Sequence, residues 1–186
     1  MSDDTSATDA AQSEEEGAPS GHDDNAGAGI RFGAIVEESL GDTVLHASVE
    51  QYLHTATAAH ADGFALLVDL TAVDFLTYAG TRTLPDAVSA ERFEVVTSLF
   101  NPQRRERIRI RVQVSAADAA VASMFDLWPG SELLEREVYD LFGIEFTDHP
   151  DMCRVLMPDD WVGHPLRKDY AVSSIPVQFK AASNIR

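Results

Sequence analysis

The chain has 186 residues, a formal charge of −17 with histidines neutral, and a composition that is 45% hydrophobic. That length suits one modest domain with chain to spare, and the acidic balance argues against a general nucleic-acid binder, because phosphate contacts need a basic face. The single cysteine, Cys153, excludes an internal disulfide framework, a zinc ribbon or an iron–sulfur cluster held by this chain alone.

Residues 1–29 carry eight Asp or Glu and no Lys or Arg, with Ala, Gly, Ser and Thr making up most of the remainder. Such a segment buries too little apolar surface to offset its ordering entropy and is expected to be disordered. Without it the formal charge is −9. The start of the chain lacks the basic and apolar blocks of a signal peptide, and no apolar run approaches the ~18 residues of a membrane span. The expectation is a soluble, cytoplasmic protein that meets a membrane only through partners.

Residues 33–40 read as a short helix stopped by Gly41, and residues 43–46 as a short strand. Ser48 then offers an N-cap, with Gln51 at capping-box spacing. Val49, Tyr52, Leu53 and Ala56 repeat with helical period until Asp62-Gly63. His54 and His60 lie on this helix without a carboxylate or Cys near them in sequence, and read as surface or packing residues. Residues 64–75 are β-rich, and the run Leu66, Leu67, Val68 and Leu70 fits a central strand. A loop from 77 to 90 precedes strands at 92–100 and 107–114, joined by a hairpin loop. In the last strand Arg107, Arg109 and Arg111 alternate with Ile108, Ile110, Val112 and Val114, the period of a half-buried strand. Two readings of the Arg row stand: a cationic strip for an acidic partner, or a solvated face with cross-strand pairs, for example to Glu94.

Residues 116–128 read as an Ala-rich helix ended by Pro129-Gly130. Ser131 can cap the next helix, which runs to Phe142 with Gly143 in the C-terminal stop position. Leu134, Val138 and Phe142 form one row, and Leu133, Glu137 and Leu141 the adjacent one, placing Glu137 inside an apolar stripe. A carboxylate there needs a partner, supplied by an Arg of the same domain or by another protein. Residues 147–186 contain Pro150, Pro158, Pro165 and Pro176 and no sustained period. A structureless stretch of that length is unusual in a compact domain, and its apolar residues need a surface to bury against. The predicted organisation is a disordered acidic arm (1–29), an α/β (α+β) domain with a mainly antiparallel sheet and flanking helices (30–146), and an extended partner-wrapping tail (147–186).

Three stretches then stand out: Glu135-Arg136-Glu137-Val138-Tyr139-Asp140-Leu141-Phe142-Gly143-Ile144-Glu145-Phe146, His149-Pro150-Asp151, and Gly163-His164-Pro165-Leu166-Arg167-Lys168-Asp169-Tyr170. They closely resemble the signature of the 30-kDa family of respiratory complex I. Residues 69–74, 92–96 and 107–112 agree in the same order, so the resemblance covers roughly Gly63 to Tyr170. Two positions depart from it: Leu133 stands where a Trp is common, and Cys153 where an Arg is common beside Arg154.

The resemblance implies a small hydrophilic component of the peripheral arm of NADH:quinone oxidoreductase, with no catalytic residue, metal or cofactor of its own. FMN, iron–sulfur clusters and quinone would sit on partner subunits. Electrons would pass there from NADH to quinone, coupled to proton translocation. Its implied partners are the 49-kDa-type subunit and the iron–sulfur subunits that feed quinone, on the cytoplasmic face of the cell membrane. Glu135, Arg136, Glu137, Tyr139, Asp140, Phe142, Gly143, His149, Pro150, Arg154, Gly163, His164, Pro165, Leu166, Arg167, Lys168, Asp169 and Tyr170 carry over as signature or interface residues. An equivalent scaffold occurs in F420H2 dehydrogenases, plastid-type NDH and membrane-bound hydrogenase complexes. A reading of another class is a stand-alone metal-dependent enzyme, with His149, Asp151, His164 and Asp169 as ligands or Glu135 with Glu137 as an acid–base pair. Against it, the histidines lack short helical metal-motif spacing, and carboxylates two apart on a helix diverge.

Overall fold

The computed structural model describes residues 29–78, 80 and 82–171. The acidic arm up to residue 28 and the tail beyond residue 171 lie outside the described residues. The elements in chain order are β1 (Ile30–Arg31), β2 (Ala34–Ser39), β3 (Asp42–Ala47), α1 (Tyr52–Ala61), β4 (Leu66–Asp74), β5 (Phe93–Asn101), β6 (Glu106–Val114), β7 (Ala120–Ala122), a 3-10 turn (Pro129–Ser131), α2 (Glu132–Phe142) and β8 (Glu145–Thr147). Six strands form one sheet in the order β1-β2-β3-β6-β5-β4, and β7 pairs with β8 in a separate ribbon. Neighbours in the large sheet are antiparallel except β3 and β6, which run parallel from Thr43↔Ile108 to Ala47↔Val112. The expected mixed fold with a mainly antiparallel sheet is therefore present.

Alternation builds the core. Phe93, Val95 and Leu99 of β5 and Ile108, Ile110, Val112 and Val114 of β6 are fully buried on one face, where Leu45, Ala47, Leu70 and Ala72 join them. Helix α1 closes over this face with Tyr52, Thr55, Ala56 and Ala59 buried. The Tyr52 hydroxyl meets Thr97 Oγ1 at 2.5 Å, which satisfies two polar groups inside the core.

The opposite face carries the Arg row. Arg111 donates to both oxygens of Glu94 at 2.7 and 3.1 Å, and Glu94 also receives Arg82 from the 75–92 loop. Arg109 pairs with Asp42. The reading of the row as a face with cross-strand ion pairs thus describes Arg109 and Arg111. Glu94 is 2% exposed, so it is a buried hub rather than a solvated partner.

Several local expectations are corrected. Residues 34–39 form a strand, not a helix, because hairpin turns flank them: Phe32-Gly33 and Leu40-Gly41 all have positive φ. Two consecutive positive values are the mark of a type I′ turn, so Gly41 reverses a strand instead of ending a helix. The helix near Ser48 begins at Tyr52, and Ser48 Oγ accepts only the Gln51 N–H at 3.3 Å in the preceding turn. The apolar run at 66–70 lies on the edge strand β4, where Leu66 and Val68 are half exposed beside a bulge between Leu67 and Asp69. No Ala-rich helix spans 116–128; Ala120–Ala122 instead pairs in parallel with Glu145–Thr147. Tertiary pairing here overrides a helix propensity that is only a weak prior.

Candidate functional site

The chemically distinctive residues converge on α2. The helix ends where the sequence predicts: Gly143 adopts φ 69°, the left-handed stop that favours glycine. A Cβ built there would sit 2.5 Å from His164 Nε2 and 2.7 Å from Arg167 Nη2, so a side chain is barred by space as well as by conformation.

The buried face of α2 differs from expectation. Glu137 is exposed, as is Leu133 at 57%, so these two turn outward while Leu141 of the same row packs against the core. The buried carboxylates are Glu135 and Asp140, both at 0% exposure. Glu135 accepts the Ser123 hydroxyl at 2.6 Å and the Met124 N–H at 2.7 Å, tying the first half of α2 to the segment after β7. It and Glu137 diverge and form no acid–base pair.

Asp140 holds the other end. Its Oδ2 accepts three successive backbone N–H groups, from Val155, Leu156 and Met157, at 3.1, 2.8 and 2.8 Å. Its Oδ1 accepts Arg154 Nη1 at 2.5 Å. Burial pushes the carboxyl upward, but the Met157 N–H, the Arg154 guanidinium and the Leu156 and Val155 N–H groups outweigh it and hold the group below its ordinary value.

A helix leaves its last carbonyls without internal partners, and here the tail supplies them. Asp140 O accepts Arg154 Nη1 at 3.2 Å and His164 Nδ1 at 3.0 Å. Leu141 O accepts the Leu166 N–H at 3.0 Å. Phe142 O accepts Arg167 Nε, and Gly143 O accepts Arg167 Nη2 at 3.3 Å. Two guanidinium groups at the negative end of the helix also favour its dipole. The other Arg154 nitrogen reaches Gly163 O at 3.1 Å, drawing the two ends of the tail segment together. Tyr139 meets the His164 ring edge-on, and the Tyr170 ring lies against the backbone of Gly163.

Two further fastenings complete the clasp. Arg136 donates to the Cys153 and Arg154 carbonyls at 3.1 and 3.2 Å and to Cys153 Sγ at 2.9 Å. Downstream, buried Asp74 accepts the Lys168 N–H at 2.8 Å and both Arg92 Nε and Nη2, while Arg92 also donates to Asp169 at 2.7 Å. Burial pushes Asp74 upward, but Arg92 and the N–H groups of Lys168 and Leu76 hold it below its ordinary value. Sequence gives Asp74 and Arg92 no role beyond agreement with a family pattern, since their partners lie far along the chain.

His149 and His164 stand at opposite ends of α2. Asp151 N–H donates to His149 Nδ1 at 3.0 Å, so Nε2 carries the proton and donates to Glu132 O at 3.2 Å. Among the described residues no group of three or more His, Cys, Asp or Glu is arranged to hold a metal, and the set of His149, Asp151, His164 and Asp169 is not assembled. Pro150 and Lys168 are exposed and Pro165 half-buried along the same strap.

Residues 148–171 therefore lie on the chain's own domain. They still present Leu156 (54% exposed), Val162 (87%) and Leu166 (45%) outward.

Fold and clasp together define a mixed α+β domain with a C-terminal strap closed over one helix. The chain belongs to the family described as "Respiratory-chain NADH dehydrogenase, 30 Kd subunit", whose model matches residues 44–175. The resemblance read from the signature is thereby borne out. NADH-quinone oxidoreductase subunit 5 of Thermus thermophilus is 38% identical over 151 residues, covering 78% of this chain and 70% of that one. An NADH-quinone oxidoreductase subunit from Geobacter sulfurreducens is 43% identical over 107 residues, 58% of this chain. The match spans only 60% of that relative's own length. Among solved structures, an Nqo5 trypsin-resistant fragment superposes with a TM-score of 0.56 at 37% identity, covering 64% of this chain and 89% of the fragment. A chain of an archaeal membrane-bound sulfane sulfur reductase gives 0.61 at 19% identity and shares the fold.

Proposed function

We propose that this chain is a cofactor-free scaffold in the peripheral arm of an NADH:quinone oxidoreductase, at the cytoplasmic face of the membrane. In this reading it contributes no catalytic residue. FMN, the iron–sulfur centres and quinone belong to neighbouring subunits, which carry electrons from NADH to quinone with proton translocation. The neighbours are a 49-kDa-type subunit and the iron–sulfur subunits that feed quinone.

One observation carries this reading. Asp140, Gly143, Arg154, His164 and Arg167 are all spent on closing the end of α2 and fastening the strap, which leaves Leu156, Val162 and Leu166 exposed along it. Exposed apolar side chains on a rigidly held segment are the mark of an interface. The names of the relatives agree: each is called a subunit of NADH-quinone oxidoreductase.

The test is affinity purification of the tagged full chain from gently solubilised membranes, with mass spectrometry of what accompanies it and an NADH:quinone assay. Recovery of a 49-kDa-type subunit, iron–sulfur subunits and that activity is expected. Recovery of the chain alone with a stoichiometric metal would overturn the proposal. Hydrogenase-type partners without a flavoprotein would move the scaffold to a different electron donor.

A further inference from the structure

Away from the clasp, the tip of the β5–β6 hairpin is a basic patch on an otherwise acidic chain. Arg31 and Arg104 flank the Phe64 ring there, 5.5 and 5.4 Å from its centroid. Both hold the same two anions: Arg31 meets Asp62 and Glu106 at 3.4 and 2.5 Å, and Arg104 meets them at 2.5 and 3.1 Å. Those charges balance. Arg105 and Arg107, on either side of Glu106, are exposed and stand in no ion pair among the described residues. Arg107 is thus the member of the Arg row that Asp42 and Glu94 leave over. The chain has 31 Asp and Glu against 14 Lys and Arg, so two neighbouring cations without an anion run against its composition.

A second, independent feature points to what covers them. Arg31 ties the start of the described chain to this tip, so the acidic arm, residues 1–28, joins the fold beside it. The arm carries no Lys or Arg, and its carboxylates include Glu14, Glu15, Glu16, Asp23 and Asp24. The about five residues from Asp24 to Gly29 span up to roughly 17 Å when extended, which puts the patch within reach. The remainder of the chain is itself net acidic and repels the arm from most other surfaces.

We propose that the basic tip at Arg105 and Arg107 is the docking site of the chain's own acidic arm. Surface ion pairs are individually weak, so a free acidic segment would hold poorly to two arginines. A tethered one is presented at an effective concentration of roughly millimolar, and weak pairs then suffice. Charge alone carries the contact, so salt should release it. The arm would cover the tip of the isolated chain and yield it to any more strongly acidic surface. The inference concerns this chain by itself and does not depend on the assembly reading above.

Paramagnetic broadening tests it, with a nitroxide on Ser13→Cys in the full chain carrying Cys153→Ser. At about 0.02 M NaCl the amide signals of residues 104–108 should lose roughly half their intensity, and at about 0.5 M they should recover it. Arg105→Gln with Arg107→Gln, both at exposed positions, should fold normally and abolish the broadening at low salt. Broadening of the tip that ignores salt and both substitutions would overturn the proposal, as would broadening centred on another surface. The same signals broadened in an isotope-labelled chain by a nitroxide on a second, unlabelled chain would assign the tip to another copy and overturn the intrachain contact. No broadening in the chain alone, with Arg105 and Arg107 protected from phenylglyoxal only in a purified complex, would give the tip to an acidic segment of a partner and overturn the arm as its occupant.

Discussion

Helix α2 carries two fully buried carboxylates, and its two ends use them differently. At the Glu135 end the donors are neutral, a serine hydroxyl and one backbone N–H, and they come from the segment just before the helix. At the Asp140 end the donors are a guanidinium and three backbone N–H groups from a segment that follows it. The first arrangement seats the helix in its domain. The second makes the helix a post to which a strap is tied. Removing one partner of a buried ion pair leaves an uncompensated charge and is strongly destabilising, so the strap depends most on the Asp140–Arg154 pair.

Asp140→Ala should have the largest effect. It leaves Arg154, 16% exposed in its side chain, without its anion. Removing one partner of such a pair costs about 3–5 kcal/mol. Chemical denaturation should show that loss, and trypsin should cut at Arg154 and Arg167 far faster than in the parent chain. An unchanged digestion pattern would show that the strap is held elsewhere. Glu135→Gln should cost less, about 1–3 kcal/mol, because its donors are neutral, and should leave the strap protected. Gly143→Ala forces a side chain into left-handed backbone and against His164. A loss of about 1–3 kcal/mol is expected, again with strap release detected by proteolysis.

Acid should separate the ends further. Asp140 and Asp74 are held below their ordinary value of 3.8, so their stabilisation is complete above that value. It is lost as pH falls through the lower folded value. Circular dichroism between about pH 5 and pH 2 should show a shallower acid decline for Asp140→Asn than for the parent chain. The smallest effects belong to the exposed positions. Glu137→Ala and Cys153→Ser should leave the unfolding midpoint unchanged, since Arg136 keeps its two carbonyl acceptors without the thiol. A reduced yield of complex from Glu137→Ala would then report on a neighbour rather than on the fold.

What sequence reveals of this molecule is local. The alternation of β6 and the Gly143 stop are legible because period and punctuation sit within a few residues. The hairpin around residues 34–39 escapes such a reading because Gly41 punctuates strands and helices alike, and only the paired positive φ values distinguish them. Glu137 passes for the buried acid because Leu133 and Leu141 suggest a wider apolar stripe than the domain covers. The true buried acids are recognisable only through Ser123, Met124 and Arg154, whose proximity no helical period encodes. The signature stretches mark the clasp as important, but its wiring depends on Asp74 and Arg92 meeting residues from the far end of the domain.

The parallel seam between β3 and β6 has a consequence for how the molecule comes into being. β2–β3 and β4–β5–β6 are each local meanders, and only the Thr43↔Ile108 to Ala47↔Val112 register joins them into one sheet. That seam closes a loop through α1 and two whole strands, and long-range pairing of this kind slows folding. On the ribosome β3 keeps an open edge until β6 emerges, an edge exposed to wrong pairing in the meantime.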